Sequence, residues 1–237
     1  MLFVKSILGV FALALFTPPH AFGQSTLFNI PSTDVVAKQK VYLEFDFISH
    51  LEDHHDGGFQ AYVPRTVVGI GKRTEIGLNA SFVDALAPDQ PVELQPNVKH
   101  QFYQNESNGV TAAAGAILYL PIAHRTGTDT FGLFYTVVSK QVKAGHGPRI
   151  TGGGYGLVGR TNGSGTNGGA IVGYEQPLIL GKVSFVADWL SGKNRFGYAT
   201  PGFAFTVSKT SLLYAGYSIG NQGRKNNGLF VYYGITF

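Results

Sequence analysis

The sequence lacks several features that define other classes of protein. None of its 237 residues is a cysteine, so a disulfide-stabilised scaffold is excluded. Charged residues make up only 14% of the chain, against roughly 25% in an average soluble domain. The formal net charge of +4 is small, and no basic stripe is present. The sequence therefore predicts that the protein does not bind nucleic acid. Beyond the first residues, no apolar run approaches the ~20 residues of a membrane-spanning helix.

Glycine and aromatic residues are abundant instead. The chain contains 32 glycines, and 13% of its residues are aromatic. Only helices and closed barrels satisfy the backbone hydrogen bonds of a chain that crosses a lipid bilayer. Without a helical span, this composition is typical of a transmembrane β-barrel.

The N-terminus has the three parts of a secretory signal. Lys5 gives a basic start, residues 6–16 form an apolar stretch, and Ala21 and Gly23 are small residues at the usual cleavage spacing. We therefore predict a signal peptide over residues 1–23, cleaved near Gly23/Gln24. The alternative for this segment is an N-terminal core helix.

Alternating segments predict strands. In residues 41–48, apolar side chains alternate with a second set that contains Tyr42, Glu44 and Asp46. The same period of two recurs in residues 75–82, 93–102 and 182–190. A soluble sandwich would bury the apolar set, whereas a membrane barrel turns it outward and points the polar set into the lumen. The alternation is compatible with both.

Hairpin dipeptides such as Asn108-Gly109 and Asn227-Gly228 separate these segments. They predict an all-β fold, a single closed antiparallel transmembrane barrel of about twelve strands, with ten to fourteen possible. The barrel is assigned to residues 39–237 and a periplasmic lead-in to residues 24–38. The predicted strands lie near 40–49, 58–70, 74–84, 92–103, 109–122, 129–141, 149–160, 168–176, 181–190, 195–207, 211–219 and 228–237.

The last strand has an apolar face made by Leu229, Val231, Tyr233, Ile235 and Phe237. A terminal strand of this kind, ending in Phe, resembles the closing strand of Gram-negative outer-membrane β-barrels. The resemblance implies that the barrel-assembly machinery recognises Tyr233, Ile235 and Phe237. It also implies a location in the cell outer membrane, with outer-membrane lipids around the barrel and the apolar faces turned outward.

With that orientation, eight charged residues are predicted to face the lumen: Glu44, Asp46, Glu75, Glu93, Lys99, Glu175, Lys182 and Asp188. They line a path for a small-molecule solute, or they pair with one another and close the barrel. Both interpretations remain open at this stage.

The sequence predicts no enzyme, no metal site and no cofactor. His50 to Asp56 crowd one loop, but their spacing matches no established ligand pattern. Gly216–Gly220 matches the letters of a nucleophile elbow, yet no helix is predicted after it. A lipid-modifying enzyme would need His100, His124 or His146 beside an inward serine.

Val186–Arg195 contains an Asp-aromatic-x-Ser-Gly hairpin, and Gly71–Leu78 a short turn followed by a Glu-x-Gly-Leu strand. Both resemble the outer-membrane transporter family of the MetA-pathway phenol-degradation type. The resemblance implies a passive channel for small solutes, including hydrophobic or aromatic solutes. It also implies that Asp188, Ser191 and Asn194 stabilise a turn. The alternative is a non-conducting structural or surface-interaction barrel.

Overall fold

A computed structural model describes residues 25–85, 90–143, 146–161, 165–223 and 227–237. The predicted signal peptide and its cleavage point lie outside these residues. Twelve strands are present in the described residues: β1 Val41–His50, β2 Phe59–Gly69, β3 Thr74–Ala85, β4 Val92–Asn105, β5 Val110–Ala123, β6 Phe131–Gln141, β7 Arg149–Val158, β8 Gly168–Ile179, β9 Val183–Leu190, β10 Tyr198–Thr206, β11 Ser211–Gly220 and β12 Gly228–Thr236.

The strands form a closed antiparallel barrel. Each pairs with the next in sequence, and β12 pairs with β1, with Tyr42 opposite Thr236 and Ser49 opposite Leu229. The predicted fold class and the number of strands are confirmed. β1 begins and β12 ends at one end of the barrel, which we call the termini end; the opposite end is the loop end.

The apolar faces of the strands point away from the lumen. In β1, Leu43 and Phe45 are 42% and 49% exposed, whereas Glu44 and Asp46 are 5% and 1% exposed. Leu229, Val231 and Tyr233 of β12 are likewise exposed. The inverted alternation expected of a membrane barrel is therefore confirmed, and the soluble sandwich is wrong. Among the described residues, no helix has the length and apolar character needed to cross a membrane.

Residues 25–36 fold back into the barrel, and we call this segment the plug. Its side chains Leu27, Phe28 and Ile30 are almost fully buried. The plug enters at the termini end, where Gln39 donates a backbone hydrogen bond to Gly69 beside the start of β1. The interpretation of residues 24–38 as a periplasmic lead-in did not foresee this insertion. A lumen wider than that of an eight-strand barrel is not filled by wall side chains alone, so a further segment can occupy it.

Candidate functional site in the barrel lumen

The lumen has two unlike walls. The inward side chains of β1 to β4, which we call the charged wall, are mainly ionisable and amide groups. The inward side chains of β5 to β12, the apolar wall, are mainly aromatic and aliphatic. Prominent buried members of the charged wall are Glu44, Asp46, Glu75, Asn79, Glu93, Lys99 and Gln101. Those of the apolar wall include Tyr119, Leu133, Tyr135, Val137, Ile171, Val186, Tyr214, Phe230 and Tyr232.

Seven of the eight charged residues predicted to face the lumen do so in the structure. Glu44, Asp46, Glu75, Glu93, Lys99 and Asp188 are buried, and Glu175 is partly buried beside an arginine. The prediction is wrong for Lys182, which is exposed in the turn between β8 and β9. The backbone N–H of Lys182 donates to the carbonyl of Ile179 at 2.9 Å, which closes that turn before β9 begins.

Arg65 joins two of the predicted carboxylates. Its Nη1 lies 3.2 Å from Glu44 Oε1, and its Nε lies 2.7 Å from Asp46 Oδ2. The Tyr42 hydroxyl also donates to Glu44. Two carboxylates therefore share one guanidinium, and Asp46 Oδ1 is buried without a hydrogen-bond partner.

Sequence reasoning missed Arg65 because of its neighbours on the same face of β2. The inward positions around it hold Ala61, Val63 and Val67, which are buried apolar residues. The period of two therefore does not mark a polar face in this strand. The only available signal was the pairing register of β1 and β2, which places Arg65 directly opposite Glu44 and therefore on the same inward face.

The ion pair between Glu75 and Lys99 holds both ends of the plug. The two residues lie opposite each other on β3 and β4, with Nζ 2.9 Å from Oε1. Lys99 donates to the Ser25 carbonyl at 2.7 Å. Glu75 accepts from the Ser25 hydroxyl at 2.5 Å and from the Val36 backbone N–H at 2.6 Å. Because this pair is fully buried, its hydrogen bonds to the plug replace those that water would provide.

Asp188 binds the tip of the plug. Its Oδ2 accepts backbone hydrogen bonds from Phe28 at 2.9 Å, Asn29 at 2.7 Å and Ile30 at 3.2 Å. The Asn29 amide donates to Thr200 Oγ1 at 2.5 Å. The role inferred for Asp188 from the resemblance, turn stabilisation, is therefore wrong. Its contacts are with a segment roughly 160 residues away in the chain, which the local pattern of β9 does not reveal.

A second arginine that the sequence analysis missed, Arg149, fixes the plug near the termini end. It donates to Asp34 at 2.6 Å and to Thr33 Oγ1 at 2.7 Å. Glu175, opposite Arg149 in the register of β7 and β8, lies 3.6 Å from the guanidinium. Charged groups on several strands therefore act together on one short segment.

The apolar wall packs against the other side of the plug. The Phe28 ring lies 4.6 Å from Phe230 and 6.1 Å from Tyr214, centroid to centroid. Gly173 leaves room for the plug, because a Cβ there would lie 2.7 Å from Ile30 Cδ1 and 2.9 Å from Leu27 Cδ2. The plug is thus held by apolar packing against this wall and by hydrogen bonds from both walls, since Asp188 and Arg149 also lie on strands of the apolar wall.

At the loop end, Arg195 reaches across the barrel mouth. It lies in the connection between β9 and β10 and makes two hydrogen bonds to Glu93 of β4, at 2.8 and 2.6 Å. Its guanidinium lies 4.9 to 5.3 Å from the ring centroids of Tyr119, Phe131 and Phe196. Burial lowers the pKa of Arg195, but the hydrogen bonds and charge of Glu93 outweigh it and leave the pKa above its ordinary value.

The same connection contains Ser191 and Asn194. Ser191 Oγ accepts from the Ala170 N–H at 2.6 Å. Asn194 donates to the Tyr155 hydroxyl at 2.8 Å and accepts from the Phe196 N–H at 2.9 Å. Ser191 therefore joins the loop to β8, and Asn194 joins it to β7 and holds its own turn at Phe196.

A cavity of about 360 Å³ lies between the plug and the charged wall and extends to the loop end. Thr26, Asn29 and Pro31 of the plug bound it on one side. The surrounding side chains that bear on its chemistry are Tyr42, Glu44, Asp46, Arg65, Asn79, Gln95, Asn97, Tyr119, Tyr135 and Tyr232. Its size is within the range of small-molecule sites.

Two other places were considered as sites in the sequence, the histidine-rich loop after β1 and His100. In the loop after β1, His54–Asp56 form a short 3-10 helix capped by the Asp53 side chain. Across the described residues there is no group of three or more His, Asp or Glu side chains arranged to hold a metal. His100 lies on the exposed face of β4, and its Nδ1 is 2.9 Å from Thr74 Oγ1. Its hydroxyl partner is thus a threonine rather than the inward serine that a lipid-modifying enzyme would need.

Comparison with known proteins identifies the class of fold. The chain matches no protein-family model and no curated protein sequence. Its structure is similar to that of an outer membrane channel from Pseudomonas putida F1, with a TM-score of 0.53 and 11% identity over 92% of this chain and 99% of that one. It also resembles outer membrane phospholipase A from Escherichia coli, with a TM-score of 0.49 and 12% identity over 92% of this chain and 98% of that one.

The likeness to the Pseudomonas putida channel establishes a shared fold alone, because the identity is low. Together with the outward apolar face, the fold is that of a transmembrane β-barrel. Its distinguishing feature is a lumen in which a plug and a cavity lie side by side.

Proposed function

We propose that this protein is an outer-membrane β-barrel that passes a small solute passively through its lumen. The observation that supports the proposal most directly is the cavity of about 360 Å³ along the charged wall, which reaches the loop end. In bacterial barrels with an even number of strands both termini face the periplasm. The loop end would then face outside, and the cavity would receive solute from there.

The plug sets the width of this path. It occupies the side of the lumen next to the apolar wall, so that passage is restricted to the space along β1 to β4. Passage through such a space needs no cofactor and no chemical step. The location in the outer membrane and recognition of Phe237 by the assembly machinery are parts of the same proposal.

Single-channel recording of the refolded mature protein in a planar lipid bilayer tests the proposal. We expect small discrete current steps from the intact protein and larger steps from a variant that lacks residues 25–36. A variant with the exposed Asp84 changed to Asn serves as the matched control, and its conductance should equal that of the parent. Insertion of the intact protein without any current would contradict the proposal, even if the shortened protein conducts.

A non-conducting barrel is the second candidate. It is favoured by the way in which Asp188, Glu75 and Arg149 hold the plug, since a segment bound by charged partners at three places resists displacement. Under this alternative the intact protein carries no current, and its exposed loops act in surface interaction.

The finer assignment to the MetA-pathway phenol-degradation type of transporter is also a proposal. Its support is the Asp188 to Asn194 hairpin, in which Ser191 accepts a hydrogen bond from Ala170 of β8 and Asn194 accepts one from Phe196 within the loop after β9. The similar structure from Pseudomonas putida F1 is named as a channel, which agrees with transport. An uptake assay with phenol and with cyclohexanol of similar size would test whether aromatic solutes are preferred.

A further inference from the structure

We propose that the cavity beside the plug binds the carboxylate group of a small organic acid, at Arg65 and the amides of Asn79 and Gln95. The inference rests on the proposed function, because it names the class of solute for that path. Its basis is the row that these three side chains form, the exposure of the arginine relative to its carboxylate partners, and the positive charge at the termini end.

Arg65, Asn79 and Gln95 form a row across three neighbouring strands. In the register of β2 and β3 Arg65 lies opposite Asn79, and in that of β3 and β4 Asn79 lies opposite Gln95. All three side chains line the cavity. A ligand in the cavity can therefore contact a guanidinium and two amides at once.

The row presents hydrogen-bond donors to the cavity. Arg65 directs its Nε to Asp46 and its Nη1 to Glu44, whereas its Nη2 makes no hydrogen bond to the described residues. The Asn79 amide donates to Gln95 Oε1 at 3.5 Å, which occupies that oxygen and leaves the Gln95 N–H groups as donors. A carboxylate accepts hydrogen bonds only, and its bonds to a guanidinium are among the strongest in proteins.

The positive member of this ion-pair cluster is the one that the cavity exposes. The Arg65 side chain is 21% exposed, whereas those of Glu44 and Asp46 are 2% and 1% exposed. The two carboxyl groups are hydrogen-bonded to each other, which needs a proton on one of them, so Arg65 balances the one negative charge that remains. The cluster is then neutral as a whole, with its positive end turned to the cavity.

The same arrangement recurs at the loop end. Arg195 lines the cavity there and its side chain is 45% exposed, whereas that of its partner Glu93 is 6% exposed. A solute that enters from the loop end therefore passes the guanidinium of Arg195 before it reaches that of Arg65. Exposed positive groups along a path favour an anion over a cation.

The termini end is also positively charged. By sequence, its connections and residues 37–40 before β1 contain seven Lys or Arg residues and one acid, against six and five in the connections of the loop end. The seven are Lys38, Lys40, Lys72, Arg73, Lys143, Lys182 and Lys209. An excess of one sign of charge raises the local concentration of ions of the other sign, so this end too favours an anion.

Isothermal titration of the refolded full-length mature protein tests the inference with three probes built on one ring, in a neutral detergent and a buffer of low chloride. These are benzoate, benzyl alcohol and benzylammonium, which are anionic, neutral and cationic. We expect benzoate to bind at least ten times more tightly than benzyl alcohol, and benzylammonium to show no binding. Equal affinities for benzoate and benzyl alcohol would overturn the inference, since partition into the micelle or the apolar wall would then explain the signal.

Variants locate the site. Arg65→Lys keeps a positive charge beside Glu44 and Asp46 but removes the planar fork of donors. It should weaken benzoate binding at least tenfold, with benzyl alcohol unaffected. Arg125→Lys makes the same chemical change in the exposed loop after β5 and should leave binding unchanged. Equal losses in both variants would refute a site at Arg65.

A second variant tests the amide part of the row without touching the ion pairs. Gln95→Leu removes one donor of similar size and should weaken benzoate binding at least threefold. This variant also supplies the test if Arg65→Lys does not refold. Benzoate binding unchanged by Gln95→Leu would contradict the site.

The conductance experiment separates this inference from the proposed function. Selective benzoate binding without current leaves the carboxylate site standing and removes the channel. Current without selective benzoate binding removes the carboxylate site and leaves the channel.

Discussion

The charged wall and the apolar wall have the same backbone structure and the same apolar exterior, yet their inner faces have opposite chemistry. β3 turns Ile76 and Leu78 outward and Glu75 and Asn79 inward. β6 also turns apolar residues outward, such as Phe134, but its inward residues include Leu133 and Val137. The membrane therefore requires apolar side chains on the outer face of the strands. The polarity of the inner face depends on what that face contacts in the lumen.

The plug explains the difference. Its side chains Leu27, Phe28 and Ile30 need an apolar surface, which β5 to β12 provide. Its backbone and its Ser and Thr side chains need hydrogen-bond partners, several of which come from charged residues. The cavity remains on the side of the lumen that the apolar side chains of the plug do not fill, and most of its lining comes from β1 to β4.

The largest effect is expected from Glu75→Gln in the charged wall. It leaves Lys99 buried without a counter-charge, a change that typically costs about 3–5 kcal/mol. The urea midpoint of the barrel in lipid vesicles should fall accordingly. The double variant Glu75→Gln/Lys99→Met should recover much of the loss. A midpoint unchanged by Glu75→Gln would show that the pair contributes nothing to holding the plug.

Asp188→Leu tests the polar anchor that lies on the otherwise apolar wall. Three backbone N–H groups lose their acceptor, and because the released tip lets them reach water, the total cost is about 1–3 kcal/mol, the penalty of one group that stays buried and unpaired. We expect faster hydrogen exchange at residues 28–30 and larger conductance steps, because the tip of the plug is released. Thr200→Val removes the Asn29 side-chain contact and the hydroxyl beside Asp188 but keeps the three backbone hydrogen bonds, and it should have a smaller effect. Unchanged exchange at residues 28–30 would mean that apolar packing alone holds the tip.

Gly173→Val tests the fit of the plug to the apolar wall. A Cβ at this position would lie under 3 Å from two buried side chains of the plug, and overpacking of this kind costs about 1–3 kcal/mol. Gly152→Val is the matched control, since a Cβ there has no atom within 4 Å. Equal shifts of the urea midpoint in the two variants would contradict tight packing at Gly173.

Phe237→Ser should have the smallest effect on the lumen, because Phe237 is 61% exposed and lies beyond the end of β12. We expect a several-fold lower yield of membrane-inserted barrel in cells, while the inserted fraction keeps its conductance. Phe237→Tyr retains an aromatic ring and should assemble normally. Normal assembly of the serine variant would count against recognition of the terminal strand.

The sequence predicted the barrel wall well because the wall is a local pattern. Alternation in β1 and β12 and turn dipeptides such as Asn227-Gly228 depend on neighbours a few residues apart. Seven of the eight charges expected inside the lumen follow from the same alternation. Lys182 was misplaced because the exact start of β9 depends on a turn, and the boundaries of strands are the least certain part of such a pattern.

The contents of the lumen were decided by the tertiary structure. Arg65 and Arg149 lie opposite Glu44 and Glu175 on neighbouring strands and therefore share their inward face. A short sequence pattern does not show this pairing of strands. The plug meets Asp188 roughly 160 residues away, and its own residues have no regular period. The sequence by itself determined a closed barrel with an apolar exterior, since lipid imposes a period of two on each strand separately. Closure of the barrel then brought distant residues together, and this decided which charges pair, where the plug lies and where a cavity remains.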